Sequence, residues 1–536
     1  MRTLLSFSIV ILATTVHLSA VLAESPGTAP ATPIKHLVVI FPENISFDHY
    51  FGTYPHAENP PNEPRFIAVP NTPPVNGLST ALLTRNPNAA NPANGAGATN
   101  PFRLDRSQAA TADQDHSYTP EQMAFHAGLM DLFPKSLGKG DTPKAGAASP
   151  LNTTGLTMGY FDGNTVTALW NYAQRFAMSD NSFGTTFGPS TPGAINLVSG
   201  QTNGVIDIRN GRGGLAGGGN DSFTLISDPD PVGDVCSAST RMLVSMAGNN
   251  IGDLLNGANI TWGWFSGGFD LAVTNANGTT NCQRSSKSPV THKTVADYIP
   301  HHEPFQYYAS TANPTHVRPS SIQSIGHAGD RANHQYDIHD FFDAIKAGNF
   351  PTISFLKAPA FQDGHAGYSN PLDEQTFAVE VINFLQNRPE WKDTAIVIAY
   401  DDSDGWYDHQ MSPIVNQSSG STDALTGPGS CGDGRSALPG VDAANAHAQG
   451  RCGFGPRLPL LAISPWARVN FVDHSLTNQA SIITFIEDNW LHGTRLGKGS
   501  FDGISNSITG MFDFQSKPRM GKLILNENTG EMASRR

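Results

Sequence analysis

The chain is poor in cysteine, in positive charge and in long apolar runs, and each shortage argues against a class of protein. Four cysteines occur in 536 residues, and none forms a C-x-x-C pair of the kind that structural zinc sites use. They fall instead as two local pairs, Cys236 with Cys282 and Cys431 with Cys452, which predicts two loop-stapling disulfides and suits an oxidising compartment. A net charge of -13 argues against nonspecific nucleic-acid binding, and it makes recognition of any anionic substrate depend on a local cation. No G-x-x-x-x-G-K-[ST] loop is present to cradle a nucleotide, and no repeat of solenoid period is visible. Beyond the first two dozen residues no segment is apolar enough to span a bilayer.

Arg2 precedes an apolar run at 4–22, and Val21-Leu22-Ala23 offers the small residues of a cleavage site. This predicts a signal peptide over 1–23, a mature chain from near Glu24, and a secreted or periplasmic address. In the remainder, 53 glycines and 38 prolines imply long ordered loops on few cores. One catalytic-sized domain over 24–536 is expected, with insertions near 56–100, 202–300 and 417–450.

Short β-branched runs at 36–41, 195–199, 352–356, 394–400 and 458–463 read as strands of a mostly parallel sheet, since they are apolar without alternation. The segments 372–388 and 476–491 carry apolar residues at helical spacing and read as helices covering that sheet. The expected fold class is α/β.

Ligands of an open α/β sheet bind beyond the carboxyl ends of its strands. Two predicted strands deliver oxygen ligands there: one leads to Glu43-Asn44, the other to Asp401-Asp402. Three carboxylates and an amide at one edge would repel one another without a cation, and all-oxygen ligation favours Mg, Ca or Mn. A single acid after a strand is more often a helix cap or turn former; with two such pairs at equivalent positions, a divalent cation stands as an equal reading beside it.

Ser190 lies in the turn Gly188-Pro189-Ser190-Thr191-Pro192, where a hydroxyl beside a cation could be activated as a nucleophile. Gly-Pro-Ser is also ordinary turn chemistry. Among 18 histidines, those in Asp115-His116, His301-His302-Glu303, Asp363-Gly364-His365 and Tyr407-Asp408-His409 sit in polar, sharply punctuated settings. Residue chemistry alone selects none of them.

The strings IKHLVVIFPENISFDHYFGTYP (34–55), DQDHSY (113–118), TAIVIAYDDSDGWYDH (394–409) and FGPRLPLLAISPWAR (454–468) together resemble the phosphoesterase family of bacterial phospholipases C and respiratory-burst-inhibiting acid phosphatases, related to the alkaline phosphatase superfamily. The resemblance spans 34–491 and implies an alkaline-phosphatase-like sheet flanked by helices. It implies one divalent metal on Glu43, Asn44, Asp401 and Asp402, with Ser190 as nucleophile. It further implies that His116, His302 and His365 contact phosphate or handle protons, with Asn44 also contacting substrate. The usual strand-end string is closer to YDExGGxYDH; here Asp402 replaces Glu and Ser403-Asp404-Gly405 replaces the glycine-rich step. That departure resembles the acid phosphatase branch.

The function expected is a metal-assisted acid phosphatase acting on small phosphomonoesters through a phosphoserine. A phospholipase C or phosphodiesterase acting on phospholipid head groups is the alternative, and a non-catalytic secreted binding protein is the alternative of another class. A sulfatase-like reading is weaker, because Ala194 stands where the string [CS]-x-P-x-R needs Arg. Nothing in the sequence calls for an obligate protein partner.

Overall fold

The run at 36–41 becomes the middle of the sheet because it is covered on both faces. In the computed structural model, which describes residues 29–141, 150–219, 221–432 and 448–533, it forms β1 (His36–Ile40), with Leu37, Val38 and Val39 fully buried. The region expected as a signal peptide and part of the 417–450 segment lie outside the described residues.

Seven further strands join β1: β2 (Ala177–Ser179), β3 (Trp262–Ser266), β4 (Gln335–Asp337), β5 (Ile353–Lys357), β6 (Thr394–Ala399), β7 (Leu460–Ile463) and β8 (Phe471–Asp473). Their order is β4-β3-β5-β1-β6-β7-β2-β8. β7 runs antiparallel to both neighbours, and the other pairs are parallel. Parallel strands need covered faces and crossover helices. Among the helices are α1 (Phe47–Phe51), α2 (Tyr118–Phe125), α3 (Thr167–Arg175), α4 (Ser190–Ser199), α5 (Ile338–Lys346), α6 (Pro371–Gln386) and α7 (Ala480–Trp490). The runs expected as helices at 372–388 and 476–491 become α6 and α7. Asn370 caps α6 by accepting from the amides of Leu372 and Asp373.

One expected strand is a helix. The apolar run at 195–199 is the second half of α4, and every residue of α4 is buried. A helix buried on all sides has no polar face, so its composition cannot be told from that of a buried strand. Two local signals favour the helix: Pro192 lies in the first turn, where a missing N–H costs nothing, and Gly200 ends the helix at φ 58°.

The 202–300 span contributes β3 to the main sheet and also builds small sheets of its own from Val205–Arg209, Leu215–Gly219, Ser222–Leu225 and Leu243–Met246. Both disulfides form, Cys236–Cys282 within this span and Cys431–Cys452 beside α2. No helix among the described residues is long and apolar enough to cross a membrane.

Candidate active site

Parallel register brings the carboxyl ends of β5, β1 and β6 side by side, since Ile40 pairs with both Leu356 and Ile398. Lys357 ends β5, and Glu43-Asn44 and Asp401-Asp402 lie just beyond β1 and β6. The loop after β1 is held by backbone bonds, Glu43 N to Asp363 O at 2.8 Å and Ile45 N to Asp402 O at 2.8 Å. Asn44 takes a left-handed conformation (φ 61°), which asparagine tolerates better than most residues. That geometry lets its amide donate to Asp401 Oδ1 at 2.9 Å.

Ser190 is the first residue of α4, which aims its hydroxyl at this edge. Its Oγ lies 2.9 Å from Glu43 Oε2, 3.1 Å from Asp402 Oδ2 and 3.4 Å from Asn44 Oδ1. Glu43, Asn44, Asp401, Asp402 and Ser190 are all at most 2% exposed. Stripping a carboxylate of water costs several kcal/mol unless charge is supplied. One cation is in place: the Lys357 ammonium pairs closely with Glu43 Oε1 and lies 3.8 Å from Asp401 Oδ2. One ammonium beside three carboxylates leaves the cluster short of positive charge. Asp401 Oδ2 is buried with no hydrogen-bond partner. A buried, orphaned carboxylate oxygen among hard oxygen donors fits a divalent cation of the Mg, Ca or Mn type.

The three histidines surround this cluster. His116 Nδ1 lies 2.9 Å from the carbonyl oxygen of Gln114 and 3.4 Å from Asp404 Oδ1, while Nε2 lies 3.4 Å from the Asn44 amide nitrogen. Burial alone would lower the His116 imidazole, but the carboxylates of Asp402, Asp404 and Asp113 prevail and raise it to about 10. His365 goes the other way, lowered to about 4 by burial and by His116. Its Nδ1 donates to the Ala366 carbonyl oxygen at 2.6 Å, and its ring stacks on Tyr368. The rings of His116 and His365 are 5.9 Å apart. His302 places Nδ1 3.3 Å from Glu43 Oε1 and is held neutral by burial, whereas the adjacent His301 faces Asp230 at 3.5 Å.

A cleft of about 480 Å³ opens over His302 and His365 and is lined further by His301, Tyr368 and Lys293. The Tyr407-Asp408-His409 motif lies elsewhere: Asp48 and Asp408 bind Arg457, and His409 pairs with Asp48 at 2.6 Å. This buried ion network joins α1 to the β6–β7 connection.

Sequence reasoning passed over three residues here. Lys357 directly follows the predicted strand 352–356, so the strand-end rule that selected the acids would have found it. Asp404 stood as a replacement for glycine, yet it is fully buried and faces His116. Glu121 of α2, which accepts from the Gly188 N–H and the Ser403 hydroxyl, gave no signal, being one acid on one helix.

Family and relatives define the class of this protein as a hydrolase of phosphoric esters. The chain belongs to the Phosphoesterase family, whose model matches residues 34–491. Phospholipase C A of Mycobacterium tuberculosis is 22% identical over 507 residues, covering 92% of this chain and 81% of that protein. The non-hemolytic phospholipase C of Burkholderia pseudomallei is 32% identical over 148 residues, covering 27% of this chain and 19% of that protein. Among solved structures, murine ectonucleotide pyrophosphatase/phosphodiesterase 5 overlaps 65% of this chain and 95% of its own at 11% identity and a TM-score of 0.30, an overlap too loose to carry an argument.

Proposed function

We propose that the chain is an exported, metal-assisted phosphatase that hydrolyses small phosphomonoesters through a phosphoserine at Ser190. The observation that carries this reading is the contact of one buried hydroxyl with Glu43, Asn44 and Asp402, all within 3.4 Å. Glu43, Asn44, Asp401 and Asp402 would hold the divalent cation. When bound, such an ion lowers the pKa of an adjacent hydroxyl and neutralises charge on transferring phosphoryl oxygens.

The chain's own groups carry the remaining steps. Ser190 Oγ attacks phosphorus in line, and its proton passes to a carboxylate oxygen that it already faces. The bond from phosphorus to the substrate alcohol breaks as His116, protonated and fixed through Nδ1 by Gln114, gives the alcohol a proton from Nε2. Asn44 donates to the phosphoryl group. His365, whose Nδ1 proton is committed to Ala366, keeps Nε2 free to accept a proton from the water that attacks the phosphoserine; the phosphorus–Oγ bond breaks as the carboxylate returns its proton to Ser190 Oγ, and inorganic phosphate leaves. His302 lines the cleft beside Glu43.

The lean towards monoesters rests on Asp402 and the Ser403-Asp404-Gly405 step. The relatives named as phospholipases C favour a second reading, in which the same site cleaves a phosphodiester and the cleft takes the larger alcohol. The disulfides and the apolar N-terminal run support export. Turnover on an aryl phosphomonoester and on a phosphocholine diester, measured side by side with Ser190→Ala as control, tests the proposal. Monoester preference is expected; diester preference would move the protein to the phospholipase C reading, and silence on both would favour a binding protein.

A further inference from the structure

Glu121 lies on α2, is fully buried, and touches neither the cleft nor the oxygen cluster through any hydrogen bond it makes. Its two carboxyl oxygens face two different turns. Oε2 accepts from the backbone N–H of Gly188 at 3.0 Å, and Oε1 accepts from the hydroxyl of Ser403 at 2.6 Å. Gly188 (φ 119°) opens the turn that delivers Ser190, and Ser403 follows Asp402 directly. Ser403 Oγ also accepts from the N–H of Gly405 at 3.1 Å, so the second turn is tied at two points.

The helix bearing Glu121 is itself anchored. Tyr118 donates to Asp423 Oδ1 at 2.6 Å and accepts from the N–H of Cys452 at 2.9 Å, which fixes α2 to the disulfide-bearing segment. Immediately before α2, Asp115 packs so closely on Gly405 that a Cβ there would meet its carbonyl oxygen at 2.4 Å. His116 lies on the same short stretch. One rigid piece of chain therefore borders the turn of Ser190, the turn after Asp402 and the imidazole between them.

We propose that Glu121 is a positioning residue, a clamp that sets the distance between the Ser190 turn and the Asp402 turn. The proposal rests on Ser190 acting as the nucleophile. Burial pushes the Glu121 carboxyl up to about 7, which agrees with a role in hydrogen bonding rather than charge. A glutamine can reproduce both contacts, since its amide oxygen accepts from Gly188 and its NH₂ donates to Ser403 Oγ. Alanine makes neither.

The test is steady-state kinetics of Glu121→Ala, Glu121→Gln and Ser403→Ala on an aryl phosphomonoester, beside wild type and Ser190→Ala. A displacement of about 1 Å between reacting groups lowers a rate about 100-fold. Glu121→Ala is expected to lose about that factor in kcat with KM unchanged, because Glu121 does not line the cleft. Glu121→Gln is expected to restore kcat to within about threefold of wild type, and Ser403→Ala, which cuts one tie, to fall between. Wild-type kcat in Glu121→Ala, or a loss in Glu121→Gln equal to that in alanine, overturns the clamp. If Glu121→Ala does not fold, wild-type kcat in Ser403→Ala overturns it. An inactive Ser190→Ala beside a fully active Glu121→Ala sinks the clamp alone, whereas an active Ser190→Ala sinks the nucleophile reading.

Discussion

A Cβ on Gly193 would lie 2.1 Å from the backbone carbonyl oxygen of Asp401, so α4 and the end of β6 meet backbone to backbone. That approach holds Ser190, three residues earlier in the same helix, against the carboxylates that follow β6. In a helix interior, Gly→Ala ordinarily stabilises by about 1 kcal/mol. Here the obstacle is backbone, which cannot swing aside, and overpacking costs about 1–3 kcal/mol. Gly193→Ala is therefore expected to lower the melting temperature and to reduce kcat at least tenfold. A variant more stable than wild type would contradict the contact.

The orphaned Oδ2 of Asp401 gives a direct handle on the metal. Chelation is expected to abolish turnover, and added divalent cation to restore it. Asp401→Asn removes one charge with little change of shape; wild type is expected to retain a divalent metal through gel filtration and the folded variant to lose it, as read by elemental analysis. Full metal retention in that variant would remove Asp401 from the ligand set.

His116 is assigned to leaving-group protonation, a role that depends on the alcohol. Removing a general acid costs about 10²–10⁴-fold when the departing oxygen needs a proton. His116→Ala should lose that much on an alkyl phosphate and much less on p-nitrophenyl phosphate, whose leaving group departs as a stable anion. Equal losses on both substrates would point to phosphate binding alone.

Acid stability follows from histidines outside the site. Burial lowers His49 from 6.5 to about 3, and its ring stacks on Trp406. The unfolded chain thus binds the proton that the folded chain refuses. Stability contributed by neutral His49 is whole above pH 6.5 and falls as pH drops towards 3, by about 2–3 kcal/mol between pH 6.5 and 4.5. Urea unfolding at both pH values should show a smaller acid loss in His49→Gln, whose side chain does not ionise there. Identical losses would contradict the assignment.

The pattern of legibility in the sequence follows from what sets each feature. The strands carrying Glu43 and Asp401 could be read because continuous β-branched runs specify a buried parallel sheet, and the rule for strand ends then selects the acids. The run at 195–199 could not, since a helix buried on every side has no period to read. His302 and His301 are chemically equivalent in the string; only folding turns one towards Glu43 and the other towards Asp230. Glu121 was invisible because its meaning lies in two turns far away in sequence, at Gly188 and Ser403.

The central claim is that phosphorus passes through Ser190. Acid quench during turnover of a phosphomonoester, followed by mass spectrometry of the peptide containing residues 188–193, tests it most directly. A phosphorylated Ser190 that appears on the timescale of turnover and decays when substrate is exhausted is the predicted result. An unmodified peptide, together with undiminished turnover in Ser190→Ala, would contradict it.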